Sequence, residues 1–96
     1  MKTKHTQGKW TAEKENKNYS VFSDKMYIGS ISSSDVGSEQ AEANAQLIAS
    51  APELLEALQS VADFYKAKIS QTQGADQFNW ECRLKEIQSI IDKATK

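Results

Sequence analysis

Cysteine, histidine and arginine each occur once in this chain, and no apolar run approaches the roughly 20 residues that a membrane-spanning helix needs. Each absence removes a class of function. The single Cys82 excludes an intramolecular disulfide and leaves no cysteine partner for a metal site, so its ordinary reading is a small buried hydrophobe. His5 lies in a terminal segment, residues 1–7, expected to be mobile, which makes it a poorly positioned general base. No Cys/His pair, glycine-rich phosphate loop or metal-ligand spacing is present. Glu53 and Glu56 could juxtapose two carboxylates on one helix face, but acidic residues early in a helix are ordinary dipole complements. An enzyme is therefore not expected, nor is a cofactor or a metal. The polar residues after Met1-Lys2-Thr3-Lys4-His5 replace the apolar core of a signal peptide, so the protein is expected to stay in the cytoplasm.

What remains is one domain's worth of chain. At 96 residues, with 39% hydrophobic and 26% charged residues, the composition is that of a small globular protein with a modest core. The formal net charge of −1 hides an uneven spread: residues 1–18 carry five lysines against two glutamates, and Asp35 to Asp63 holds six acidic residues and no basic one. Such an acidic stretch repels phosphate and argues against direct nucleic-acid binding. It is either a solvated pair of helix faces or a surface for a basic partner.

The N-terminal part reads as β-structure. Trp10–Glu13, Tyr19–Phe22 and Met26–Ile31 are short aromatic or β-branched runs, which predict a three-stranded antiparallel meander over 8–33. Trp10 and Ala12 share one face; on the third strand Ile28 is expected to oppose Tyr27 and Ile31. After a serine-rich loop, Ser38 is the expected N-cap of a helix from Glu39 to Ser50. Pro52 lacks an amide hydrogen and suits the start of a new helix, so a break is predicted at Ser50-Ala51.

The second helix should reach Ile69 or Ser70, with Leu54, Leu58, Val61 and Tyr65 as its apolar stripe, flanked by Leu55, Ala62 and Ile69. Asp76 is the expected cap of a third helix carrying Trp80, Leu84, Ile87, Ile91 and Ala94. The predicted fold class is α+β: a three-stranded antiparallel meander, then a helical part over 38–96 made of a short helix and an antiparallel helical hairpin that covers one sheet face. Ala41, Ala45 and Ala49 form a small-residue stripe for packing on the sheet or on a second subunit, and a homo-oligomer, most simply a dimer, is expected.

One stretch has a family look. Ala43-Asn44-Ala45-Gln46-Leu47-Ile48-Ala49-Ser50-Ala51-Pro52-Glu53-Leu54-Leu55-Glu56-Ala57-Leu58 resembles an Ala-Asn-Ala-Arg-Leu-Ile-Ala-Ala-Ala-Pro-Glu-Leu-Leu-Glu-Ala-Leu block carried by small proteins of bacteriophages and prophages. In that family it follows a segment similar to His-Thr-Pro-Gly-Pro-Trp. Here the segment is His5-Thr6-Gln7-Gly8-Lys9-Trp10, with Gln7 and Lys9 where the pattern has proline. The resemblance implies work in the host bacterial cytoplasm, in host takeover or counter-defence, where binding suffices without catalysis.

Candidate ligand contacts follow from residue chemistry. Trp10, Tyr19, Phe22 and Tyr27 sit on the meander; the core takes most of these rings and leaves one or two, Trp10 or Tyr27, to stack on a base. Lys9 and Arg83 can answer phosphate charge, although the ordinary reading of Arg83 is a surface pair with Asp76 or Glu86. Asn44 can read a base or ribose edge, or cap a neighbouring loop. Two functions compete on this basis. One is a sponge that sequesters a nucleotide-derived immune signal, of cyclic ADP-ribose or cyclic dinucleotide type, without cleaving it. The other is a protein–protein inhibitor of a host target that presents an acidic, nucleic-acid-like surface.

Overall fold

The computed structural model describes residues 4–24 and 26–96. Of the terminal segment expected to be mobile, residues 1–3 lie outside the described residues. The chain forms two compact units, one over Thr6–Glu53 and one containing Leu54–Lys96.

The first unit is an antiparallel meander of β1 (Trp10–Glu15), β2 (Asn18–Ser23) and β3 (Met26–Ser32), in the order β1-β2-β3. Asn16 closes the first hairpin at a φ of 55°, in the left-handed region that asparagine tolerates better than most residues. Tyr19 and Val21 point from the central strand into the core, and Trp10, Ala12, Ile28 and Ile31 pack against them. The register explains how Ile28 gets there. Val21 pairs with Gly29 and Phe22 with Tyr27, so Ile28 is the extra residue of a bulge between them. The bulge corrects the expected alternation: Ile28 joins Ile31 on the core side, and Tyr27 lies on the other face with Phe22.

Two helices complete this unit. Ser32 caps the short α1 (Ser33–Val36) by accepting a hydrogen bond from the Ser34 amide. Gly37, at φ 87° and ψ 157°, turns the chain into α2 (Ser38–Ala49). That backbone geometry is nearly exclusive to glycine. It places Ser38 inside the helix and moves the cap one residue earlier than expected. Ala41, Ala45 and Ala49 are buried and form the core with Tyr19 and Val21. The alanine stripe therefore faces the sheet of its own chain. Small side chains give each contact little area, but they allow close approach, and a 12-residue helix that would be marginal alone is held by the sheet. α2 covers this face of the sheet.

The helix breaks at Ser50, and α3 (Ala51–Gln71) begins with Pro52 in its first turn, where a missing amide hydrogen costs nothing. The second unit pairs α3 with α4 (Ala75–Ala94). Gly74, at φ 69°, is the residue before α4, and Asp76 lies in the first turn without capping it. The Gln77 side-chain amide donates to the Ile69 carbonyl at 3.1 Å and the Thr72 hydroxyl to the Lys68 carbonyl at 2.7 Å, so α4 and the loop before it satisfy carbonyls that α3 leaves open.

The hairpin core centres on Ala62 and Ile91, the latter only 1% exposed. Leu55, Leu58, Tyr65 and Ile69 are half-buried beside Ala62, whereas Leu54 and Val61 are exposed. The buried seam is thus displaced from the expected stripe. Trp80 packs on Tyr65 and Phe64 with ring centroids 5.1 and 6.0 Å apart, the second pair edge to face. No helix of the described residues is long and apolar enough to cross a membrane.

Candidate functional site

From Thr6 to Trp10 the motif-like segment gains a structural meaning in the first unit. The Trp10 indole donates to the Thr6 carbonyl at 3.0 Å, and the Ser23 hydroxyl donates to the Gln7 carbonyl at 2.5 Å. Between them Gly8 adopts a φ of 101°. A Cβ at this position would stand 2.9 Å from Ser23 Oγ and 3.1 Å from Asp24 Oδ2, so the glycine is required both by conformation and by space. Asp24 itself has a φ of 54°, and its amide donates to the Lys9 carbonyl at 3.4 Å. The arm is thereby fastened beside the end of β2.

This contact leaves an open notch of about 440 Å³ lined by Thr6, Gln7, Ser23, Asp24 and Met26. Its rim offers carbonyl and carboxylate acceptors, an apolar thioether and the neighbouring Lys9. Ser23 is buried and its hydroxyl is committed to Gln7, so it is a fastening group and not a nucleophile. A second, larger depression of about 650 Å³ runs along α4 and includes Phe78, Cys82, Lys85 and Asp92. Cys82 is exposed there, contrary to its expected burial. Among the described residues, no group of three His, Cys, Asp or Glu side chains could hold a metal ion.

Of the five residues singled out for ligand binding, four belong to the first unit and do not share one face. Lys9 is exposed immediately before β1, and Trp10 is half-buried on the core side of the sheet. Tyr27 is 58% exposed on the opposite side, its ring edge to face with Phe22 at 5.9 Å and its hydroxyl donating to Ser30 Oγ at 3.0 Å. The two rings thus present no common platform. Asn44 is exposed on α2, and Arg83 is exposed on α4, in the other unit. Only Lys9 and Trp10 border the notch. Residues 6, 7, 23, 24 and 26, which line it, were not singled out by spacing; the glycine inside a resembling segment was the available signal.

A further surface is conspicuous on α2. Leu47 is 63% exposed and Ile48 is also exposed, on the helix whose alanines are buried. Glu39 and Glu42 are exposed toward its N-terminal end. Neither Leu47 nor Ile48 belongs to the core that the alanines form.

No curated protein and no solved structure matches the chain. A family model described as Salmonella phage P22 protein Y8K6 matches residues 1–96, and the chain therefore belongs to this family of small phage proteins.

Proposed function

We propose that the protein acts by binding, in host takeover or counter-defence, and that its partner is a host protein held on the outer face of α2. The carrying observation is the exposure of Leu47 and Ile48 on a helix rimmed by Glu39 and Glu42. Exposed apolar side chains beside acidic ones suit a partner with an apolar pocket and a basic rim, such as a host protein that handles nucleic acid. The acidic side chains steer the encounter; the apolar pair supplies the contact that holds. Neither requires an enclosed cavity or a catalytic group.

A second reading is supported by the notch beside Gly8: sequestration of a nucleotide-derived signal, of cyclic ADP-ribose or cyclic dinucleotide type, without cleavage. Lys9 and Trp10 border the notch, the first through the bond from the Asp24 amide to its carbonyl and the second through its indole on the Thr6 carbonyl. The opposite sheet faces taken by Trp10 and Tyr27 favour the protein partner.

The test separates the two. Tagged wild-type chain and a Leu47→Asp variant are expressed in the host and purified in parallel, while calorimetry is run on the wild type with a panel of cyclic dinucleotides, cyclic ADP-ribose isomers and linear controls. A stoichiometric host protein retained by the wild type and lost from the variant supports the first reading. Binding of a nucleotide that is released intact on heating, and that weakens in Trp10→Ala, replaces it with the second.

A further inference from the structure

We propose that the apolar edge of the α3–α4 hairpin is a self-docking face, on which α3 of one copy of this chain packs antiparallel on α3 of a second copy about a two-fold axis. This face differs from the one assigned to the host partner, and the inference does not rest on that assignment.

The two flanks of the hairpin differ in chemistry. On one, Gln59, Asp63 and Lys66 of α3 and Gln88 of α4 line a small polar cavity of about 200 Å³ above Ala62 and Ile91. This is an ordinary solvated edge. On the other, Leu54, Ala57, Val61 and Phe64 recur at spacings of three, four and three, the same rhythm as the buried seam Leu55, Leu58, Ala62, Tyr65 but one step round the helix. All four are exposed, Phe64 at 53% although its ring also meets Trp80 of α4. Ile90, 57% exposed, precedes Ile91 on the side away from Gln88 and widens this flank from α4. A helix with two adjacent apolar seams, one of them filled by α4, has a second packing surface to cover.

The occupant is read from the pattern itself. When the stripe is paired antiparallel with its own copy, Phe64 falls opposite Leu54 in the outer layers and Val61 opposite Ala57 in the inner ones, so every layer is apolar and the helices approach most closely at the alanines. A two-fold interface needs this self-complementarity. Charge agrees with the register. Lys68 Nζ lies over the Phe64 ring, 5.4 Å from its centroid, and Glu53 precedes Leu54. Seating Phe64 against Leu54 of the second copy therefore brings Lys68 to Glu53 of that copy, twice by symmetry. A parallel pairing would set lysine against lysine and glutamate against glutamate.

Light scattering during size exclusion of the full chain, at tens of micromolar, is expected to give about twice the 10.7 kDa chain mass. Val61→Glu, which places two carboxylates near the axis, should give the single-chain mass with unchanged far-ultraviolet helicity. Charge reversal fixes the register: Glu53→Lys and Lys68→Glu should each weaken self-association roughly three- to tenfold, and the double variant should restore it. A single-chain mass for the wild type, a dimer indifferent to Val61→Glu, or a double variant no better than the singles would overturn the proposal. So would a monomeric wild type whose host partner is lost on Val61→Glu, because the occupant would then be that protein.

Discussion

Replacing Gly8 by alanine tests whether the arm contact organises the first unit. The substitution has two separable costs. The first is conformational, because a φ of 101° is a region that L side chains rarely adopt, at roughly 1–3 kcal/mol. The second is spatial: the new Cβ stands 2.9 Å from Ser23 Oγ, and Ser23 is buried, so the hydroxyl must give up its bond to the Gln7 carbonyl, at about 1 kcal/mol. Gly37 supplies the control, since its φ of 87° carries a similar strain while a Cβ there would meet nothing within 4 Å. Gly8→Ala is therefore expected to lower stability by about 3 kcal/mol, with Gly37→Ala about 1 kcal/mol milder, against a total of about 5–15 kcal/mol for a small domain. Unfolding should be followed by fluorescence of Trp10 in a Trp80→Phe background, so that the sheet unit reports alone. A drop of more than about 10 °C in midpoint is expected. Ser23→Ala should cost about 1 kcal/mol alone but remove the clash, making the pair less than additive. Equal effects at Gly8 and Gly37, together with strict additivity at Gly8 and Ser23, would refute the argument.

The other substitutions probe packing. Ile91→Ala removes the most buried large side chain of the hairpin and should cost about 2–5 kcal/mol in helix melting, the wide range reflecting how far Ala62 and its neighbours collapse into the gap. Ala45→Leu forces extra volume between α2 and the sheet, where the alanine is fully buried; a loss of about 1–3 kcal/mol is expected with the solution mass unchanged. A change of mass at undiminished stability would instead return the alanine stripe to a subunit interface.

The order of elements was legible because the signals are local. The short aromatic or β-branched runs mark the meander, and Pro52 marks the helix break within a residue. The features that were not legible depend on contacts between elements. The bulge at Ile28 arises because β3 must turn a second isoleucine toward the core while Gly29 faces Val21, which no alternation within β3 reveals. The true seam of α3 could not be separated from its neighbour, since positions 54, 57, 61 and 64 have the same rhythm as 55, 58, 62 and 65; burial by α4 decides between them. The caps moved to Gly37 and Gly74 because positive-φ glycines end the preceding turn before Ser38 or Asp76 can act.

The same ambiguity explains why the resembling block reveals a family before it reveals a function. Within Ala43–Leu58, Ala45 and Ala49 are buried against the sheet, Leu55 and Leu58 turn inward in the hairpin, and Leu47, Ile48 and Leu54 remain exposed. One short alphabet of alanine and leucine therefore serves a helix–sheet contact, a helix–helix contact and an outward surface. Periodicity identifies apolar positions but cannot assign them to partners, because the three uses differ in what faces the helix and not in the helix itself. The arm notch is hidden for a related reason: Thr6, Gln7, Ser23, Asp24 and Met26 meet only after the meander closes, and none is an unusual residue where it stands. Gly8 is the exception. Its lack of a side chain is required by the meeting of arm and strand, so it is the one residue of the notch whose identity records a tertiary contact.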